Sequence, residues 1–360
     1  MKKLILLLAT MFVLLQQDML QAQDKRKAKT TGKTEQEFPE TVTINKSGNR
    51  IAFTVGKTIY CYGVSEQKML WATDQNNPYY PLKIVAPLFV DSRRRLIFEC
   101  IGNFVSTKRG LVMLDAETGY YIKNLTEEVQ PSERYYVTPD EKYFISLAFG
   151  KITSRDIGSG VEIKTFPVSL GMNNYIATLP GKQELLLLKE FDGSKFGIKS
   201  TLEAKVYDFE KGIVTREQEL DYSKEFPVLD SCEFIREPMN FSNNSLYIGY
   251  RNSSTGDVFT LVVNKANYEI EEQFNFQVIK ASGRGALLLI DKQGYFYIKP
   301  VDSKQPVPLD EMNISHKDFF GYNFSGINDD GTVVAFIQNN KVGFRRIING
   351  QLSGITWIAY

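Results

Sequence analysis

The chain has 360 residues, and its 43 Lys and Arg nearly balance 42 Asp and Glu, which gives a formal net charge of +1. Proteins that wrap nucleic acid or lie on anionic membranes normally carry a basic excess, so the balance disfavours both partners. One His and three Cys exclude multi-His metal sites, zinc clusters and most Ser-His or Cys-His catalytic sets. The length alone would predict two or more domains, unless the chain is built from repeats.

The N-terminus has the pattern of a secretory signal. Lys2 and Lys3 precede an apolar run from Leu4 to Leu15, and a more polar stretch then ends at Ala22. The run is shorter than the roughly 20 residues that span a bilayer. Residues 1–22 are therefore predicted to be a cleaved signal peptide. We expect a periplasmic or extracellular protein, of bacterial origin, with no membrane insertion once the signal is removed.

Residues 23–40 are polar and contain a basic cluster between Lys25 and Lys33. Charged segments at domain ends are usually solvated, so this segment is interpreted as a flexible leader rather than a docking element. The remaining residues, 41–360, are predicted to form a single domain.

Tight turns recur along this domain at intervals of about 40 to 48 residues, apart from one longer interval between Pro180 and Ser242. Each turn is rich in Gly, Asn, Asp, Ser or Pro and precedes an apolar strand. Seven such turns lie at 45–49, 91–94, 139–142, 180–183, 242–245, 282–285 and 328–331. A second kind of turn lies at 115–119, 157–160, 208–212 and 348–350. The spacing predicts repeated units of four short antiparallel strands.

Two segments resemble a known family of repeats. TPDEK at 138–142 and LDAETG at 114–119 are similar to the "SPDGK" turn and the "WDxxTG" strand ending of WD40-like and YVTN-type β-propeller repeats. The resemblance implies an all-β propeller of four-stranded antiparallel blades, and the seven turns favour seven blades. Six or eight blades stay open, because the long interval could hold an insertion or another unit. The residues that close the ring also stay open, since 41–45 and 355–358 could each supply an outer strand.

In such a blade the a–b and c–d turns lie on one face, and the b–c and d–a connections lie on the other. The long connections, at 74–83, 101–110, 190–203, 221–234, 251–257 and 310–320, are all of the b–c or d–a kind. Elaborated loops on a rigid scaffold commonly bind ligands, so this face is predicted to bind a protein, or alternatively a glycan. The candidate binding residues are Tyr79, Tyr80, Phe104, Lys108, Arg109, Phe191, Lys195, Phe196, Phe226, Arg236, Arg251, His316, Phe319 and Phe320.

The sequence supplies no catalytic, metal or cofactor motif to which we assign residues. His316 has no second His, and the Asp-Gly turns at 192–194 and 329–331 lack the length of a calcium-binding loop. Recognition is therefore favoured over catalysis. The alternatives are a propeller enzyme of the lactonase, lyase or hydrolase type and a structural subunit of an envelope assembly. The oligomeric state stays open.

Cys61 and Cys100 are predicted in neighbouring blades, and Cys232 just before the fifth. A disulfide between Cys61 and Cys100 is conceivable in an oxidising compartment, but buried free thiols are favoured.

Overall fold

The computed structural model describes residues 37–73, 83–101, 109–129, 134–148, 150–169, 173–179, 182–191, 201–235, 240–309 and 325–360. These residues form antiparallel sheets and two short 3₁₀ helices, Asp91–Arg93 and Pro227–Ser231. Neither helix is long and apolar enough to cross a membrane. The compact unit that contains the sheets spans Phe38–Tyr360.

The first four blades each take four consecutive strands. The strands are β1 (Pro39–Ile44), β2 (Arg50–Val55), β3 (Thr58–Gly63) and β4 (Lys68–Ala72) in blade 1; β5 (Lys83–Val90), β6 (Arg95–Ile101), β7 (Arg109–Asp115) and β8 (Tyr121–Val129) in blade 2; β9 (Arg134–Val137), β10 (Tyr143–Ala148), β11 (Lys151–Asp156) and β12 (Glu162–Pro167) in blade 3; and β13 (Asn173–Thr178), β14 (Glu184–Phe191), β15 (Thr201–Asp208) and β16 (Ile213–Leu220) in blade 4.

The last three blades follow the same order, with one strand divided in blade 5 and another in blade 7. The strands are β17 (Cys232–Phe234), β18 (Asn240–Phe241), β19 (Ser245–Asn252), β20 (Val258–Asn264) and β21 (Ile270–Phe274) in blade 5; β22 (Gln277–Ala281), β23 (Leu287–Ile290), β24 (Phe296–Lys299) and β25 (Val307–Pro308) in blade 6; and β26 (Ser325–Ile327), β27 (Val333–Gln338), β28 (Lys341–Ile348), β29 (Gln351–Leu352) and β30 (Thr356–Ile358) in blade 7.

The predicted all-β fold with seven antiparallel blades is confirmed. The first strands of neighbouring blades pack against one another, as β1 does against β5 and β26, so they line the centre of the ring. The second strands are buried on both faces. In β14, Leu185 and Leu187 pack towards blade 3, while Leu186 and Leu188 pack towards blade 5. This double burial explains why these strands are continuous apolar runs rather than alternating ones.

The ring closes by packing between the first and last blades. Val42 of β1 shares a core cluster with Phe344 of β28 and Ile358 of β30. The ring of Tyr360 lies 5.3 Å from that of Phe53 in blade 1. The structure thus decides between the two candidate closing segments: β30 is an outer strand of blade 7, whereas 41–45 belongs to the innermost strand of blade 1.

The long interval between Pro180 and Ser242 extends a connection and does not hold another blade in its described part. After β16 the chain forms the 3₁₀ helix Pro227–Ser231 and then β17, which pairs with β19 of blade 5. The sequence-based placement of Cys232 before the fifth blade is therefore wrong. Cys232 opens β17 because the first strand of blade 5 is divided, and β17 and β18 both pair with β19.

Candidate functional site

The strand order sorts every connection onto one of two faces. We call the surface of b–c and d–a connections the loop face, and the surface of a–b and c–d turns the turn face. The strands that flank the six long connections predicted from the sequence end at the loop face. Between those strands the connections span 73–82, 102–108, 192–200, 221–231, 253–257 and 309–324, of which 74–82, 102–108, 192–200 and 310–324 lie outside the described residues. Four of these connections, 73–82, 192–200, 221–231 and 309–324, have more residues than any connection of the turn face, where the c–d connection of blade 6 at 300–306 is the longest.

Most predicted site residues fall in these connections. Ten of them lie outside the described residues: Tyr79, Tyr80, Phe104, Lys108, Lys195, Phe196, Arg236, His316, Phe319 and Phe320. Arg109 begins β7 and Phe191 ends β14, which puts both backbones at the loop face, but their side chains are not described. Phe226 and Arg251 are the two candidates whose side chains are described.

Phe226 and Arg251 differ in their exposure to solvent. Phe226 is half-buried and packs against the core cluster shared by blades 4 and 5. Arg251 is exposed near the loop-face end of β19, opposite Glu233 of β17. Phe226 thus supports the face from beneath, while Arg251 is available to a ligand.

An ordered part of the loop face joins blades 5 and 6. The amide of Ser253 donates to the carbonyl of Ser231 at 3.3 Å, which ties the loop 253–257 to the 3₁₀ helix. Lys292, in the b–c hairpin of blade 6, donates to Asp257 Oδ1 at 2.6 Å. This hydrogen bond lowers the pKa of Asp257. We call these linked segments, 227–231, 251–257 and 291–295, the blade 5–6 sector.

The blade 5–6 sector exposes apolar side chains that the sequence analysis missed. Tyr295 is 63% exposed, and Val228 is also exposed. Tyr295 lies in a short hairpin outside the long connections, and Val228 lies in a long connection but is aliphatic, whereas the predicted binding residues are aromatic or basic. The sequence feature that could have indicated Tyr295 is the Gly294-Tyr295 pair. Gly294 adopts positive φ in a tight hairpin, and Tyr295 directly follows that turn.

A cluster of three aromatic rings, one pair edge-to-face and one pair stacked, packs beneath this sector. The ring of Tyr250 lies 6.0 Å from that of Phe234 and 5.6 Å from that of Phe259. Burial raises the pKa of the Tyr250 hydroxyl, which therefore stays neutral. The sector accordingly has a polar and aromatic surface on a packed apolar base, an arrangement suited to recognition.

The turn face is closed by hydrogen bonds that run from blade to blade. The amide of Lys46 donates to Asp91 Oδ2 at 2.6 Å, and the amide of Ser92 donates to Glu141 Oε2 at 2.6 Å. The carbonyl of Lys46 accepts from the amide of Asp329 at 3.0 Å. These bonds link blade 7 to blade 1, blade 1 to blade 2 and blade 2 to blade 3.

The other neighbouring blades are linked in the same way. The bonds are Gln183 Nε2 to the Tyr143 hydroxyl at 3.3 Å, Lys265 Nζ to the Thr178 carbonyl at 2.7 Å, the Asn243 amide to the Gly283 carbonyl at 2.7 Å, and Ser282 Oγ to the Asp329 carbonyl at 2.8 Å. We call the whole set the turn-face ring. It connects all seven blades.

Glu141 is the most buried acid of the turn-face ring, at 2% exposed. Besides the Ser92 amide, it forms an ion pair with Lys46, which reaches across from blade 1 to blade 3. Burial raises the pKa of Glu141, but the bonds from Lys46 and Ser92 outweigh it and hold the pKa below its usual range. Glu141 therefore acts as a charged anchor of the closed face.

Among the described residues, no three His, Cys, Asp or Glu side chains lie close enough together to hold a metal ion. Cys61 is a buried free thiol whose pKa burial raises to about 12, which makes it a poor nucleophile. Cys232 is a half-buried free thiol. The thiol state expected for the three cysteines stays a prediction. The side chain of Cys100 is not described.

No protein-family profile matches the chain, and no curated protein matches its sequence. Solved structures do match. Hsv2 of Kluyveromyces lactis aligns with a TM-score of 0.55 at 12% identity, covering 89% of this chain and 99% of that one. A hydrazine synthase chain of Kuenenia stuttgartiensis aligns with a TM-score of 0.52 at 11% identity, covering 88% and 97%. The likeness shows the fold, a seven-bladed β-propeller. At such identities it says nothing about ligands.

Proposed function

We propose that this protein is a secreted, non-enzymatic β-propeller that binds a protein partner through its loop face, with a glycan as the second ligand class. The observation that carries the proposal is the contrast between the faces. The four longest connections join strands at their loop-face ends, while turns of the other face are hydrogen-bonded in the turn-face ring. The blade 5–6 sector adds an exposed aromatic ring and Arg251, the residue types enriched at protein interfaces.

The proposal extends to family and compartment. The repeats are assigned to the WD40-like, YVTN-type propellers on the turns at 138–142 and 114–119. The charged, apolar and small-residue regions of residues 1–22 support secretion into the bacterial periplasm or beyond. Protein partners in the cell envelope are therefore the ones to seek.

The test is capture of partners from the native envelope by the tagged chain, identification by mass spectrometry, and measurement of affinity with the purified partner. Tyr295→Ala and Arg251→Ala probe the blade 5–6 sector. Tyr80→Ala, Phe104→Ala and Phe196→Ala probe connections whose structure is not described. We expect at least one of these changes to weaken binding about tenfold or more, since truncating an interface anchor typically has effects of this size.

Lys142→Ala is the matched control for Arg251→Ala, because Lys142 is an exposed cation on the turn face. It should leave the affinity unchanged. The proposal is overturned if the loop-face variants bind like the wild type while changes on the turn face abolish binding.

A further inference from the structure

The c–d turns of blades 2, 3 and 4 repeat one local structure. In each, a glycine adopts positive φ: 73° at Gly119, 77° at Gly160 and 72° at Gly212. The amide of that glycine donates to the carbonyl of the acid that opens the turn, as Gly119 does to Asp115 at 2.8 Å. The residue after this glycine leads into the outer strand: Tyr120 and Val161 directly precede β8 and β12, and Ile213 begins β16. That position can therefore be compared from blade to blade.

Large apolar side chains occupy this position in three consecutive blades and are exposed. Tyr120 of blade 2 is 76% exposed, Val161 of blade 3 is 62% exposed, and Ile213 of blade 4 is 53% exposed. We call these three residues the apolar arc. Single exposed apolar residues are common on protein surfaces, but three at one repeated position in consecutive blades mark a candidate interaction surface.

The members of the apolar arc belong to turns that adjoin one another. Gly160 lies against the Leu125 backbone of β8, and Gly212 lies against the Phe166 ring of β12. Lys123 of β8 also donates to the carbonyl of Gly158, in the next turn, at 2.5 Å. The turns of blades 3 and 4 therefore each lie beside the outer strand of the preceding blade, and the three positions follow one another in consecutive blades at the edge of the turn face.

Opposite charges stand at the two ends of the apolar arc. The same position holds Lys68 in blade 1, after the positive-φ residue Gln67, and Glu269 in blade 5, after the positive-φ residue Tyr268. Both are exposed, and no ion pair joins either of them to another described residue. In blade 7 the position holds Gln351. The series from blade 1 to blade 5 thus reads cation, three apolar residues, anion.

This order is self-complementary under two-fold symmetry. A two-fold axis that passes through blade 3, in the plane of the turn face, places blade 2 on blade 4 of a second copy and blade 1 on blade 5. Tyr120 then meets Ile213, Val161 meets its own equivalent, and Lys68 meets Glu269 at both ends. An isologous contact requires a patch with this property.

We propose that the apolar arc is the interface of a homodimer, in which two propellers pack turn face to turn face. The occupant of the arc is a second copy of this chain, because the end charges complement each other only in that antiparallel order. The two loop faces then point away from each other. The dimer presents two separate partner-binding faces, and a partner that is itself multivalent binds it with increased avidity.

Charge reversal tests the dimer most specifically. The purified chain is expected to have twice the mass of one chain in light scattering at micromolar concentration. Lys68→Glu places two acids together at both ends of the interface, and Val161→Glu puts a charge at its centre, so each variant should run at the mass of one chain. The double variant Lys68→Glu/Glu269→Lys recreates both pairs in reverse and should recover the dimer. Gln351→Glu, at the same position in blade 7, should not change the mass.

A second measurement does not depend on affinity. Val161→Cys lies on the symmetry axis, so a short bismaleimide should join two copies of this variant, and it should not join copies of Gln351→Cys. A wild-type chain that stays monomeric at high micromolar concentration overturns the proposal. So does a dimer that survives Val161→Glu, or one in which the charge-swapped double variant stays monomeric.

Discussion

The turn face and the loop face are made by the same seven blades but are held in different ways. On the turn face, each blade donates to or accepts from its neighbour, and Lys46 alone contacts blades 2, 3 and 7. On the loop face, the connections differ in length from blade to blade, and the blade 5–6 sector is joined through exposed groups such as Lys292 and Asp257. The hydrogen bonds between blades occupy turns of the turn face, whereas the connections of the loop face can differ in length and sequence.

The largest expected difference in stability between the two faces concerns two glycines with positive φ. Gly119 on the turn face has a φ of +73°, and a Cβ there would lie 2.6 Å from the ring of Trp71. Gly256 on the loop face has a φ of +71°, and nothing lies within 4 Å of its Cβ position. Gly119→Ala combines backbone strain with a clash, so we expect it to lower the free energy of unfolding by about 3 kcal/mol.

Gly256→Ala is the matched variant, since it carries the backbone strain alone. We expect a cost of about 1 kcal/mol. Urea unfolding of the two variants provides the comparison, and equal costs would show that the turn-face packing adds nothing.

The buried acid of the turn-face ring gives the next largest effect. Glu141→Gln removes the charge that pairs with Lys46 and accepts from Ser92, and we expect it to lower the free energy of unfolding by about 2 kcal/mol. The corresponding change on the loop face, Asp257→Asn, breaks an ion pair between half-exposed groups and should have no measurable effect. If the two variants unfold at the same urea concentration, the buried charge of the turn face contributes no more to stability than the exposed ion pair of the loop face.

Lys265 of the turn-face ring should make stability depend on pH in the alkaline range. Burial lowers its pKa from 10.5 to about 8. Between these values the unfolded chain binds more protons than the folded one, so the free energy of unfolding should rise as the pH is raised from about 8 to 10.5. Burial lowers the pKa of Lys280 to about 8 as well. Lys265→Met should therefore reduce this rise in urea titrations by about the contribution of one group and leave the contribution of Lys280 in place. A rise that is unchanged in the variant would assign it to another group.

A smaller rise of the unfolding free energy with pH, in the acid range, is expected from a group near the loop face. Partial burial raises the pKa of Glu203, but the bonds with Lys189, Glu217 and Lys205 outweigh it and lower the pKa to about 2. Its stabilisation is complete above pH 4.5 and is lost as the pH falls through about 2. Solvent screens this cross-strand ladder, so the loss should be smaller than the change at Lys265.

Glu203→Gln is the variant that isolates this acid. It should flatten the profile of unfolding free energy between pH 4.5 and 2, measured by circular dichroism. An equally steep acid loss in Glu203→Gln would contradict the assignment.

The fold was predictable where the structure depends on local hydrogen bonds. Asp115 Oδ1 accepts from the amides of Glu117 and Thr118, both at 3.0 Å, and the carboxamide oxygen of Asn45 accepts from the amide of Arg50. Such side chains close their own turns, so the residue types alone locate the turn. The number of blades and the face of each connection follow from these turns.

Features that depend on contacts between distant blades were not predictable. Tyr268 occupies, at a φ of 63°, the turn position that glycine holds in blades 2 to 4, and its ring lies under the guanidinium of Arg216 from blade 4, 4.9 Å away. No local sequence pattern indicates that a tyrosine takes the place of the glycine at this turn position. The hydrogen bonds that join Lys46 to Asp91 and Asp329 likewise form only when three blades are in place. The exposure of Tyr295 depends on how the surrounding segments pack, which the local sequence does not determine.

Site-specific photo-crosslinking in the native envelope tests the central claim most directly. A benzoylphenylalanine placed at Tyr295, on the loop face, should form an adduct with a different protein, and one placed at Lys142, on the turn face, should not. Mass spectrometry identifies each adduct and separates it from links between two copies of this chain. An adduct with another protein at Lys142, with none at Tyr295, would contradict the assignment of recognition to the loop face.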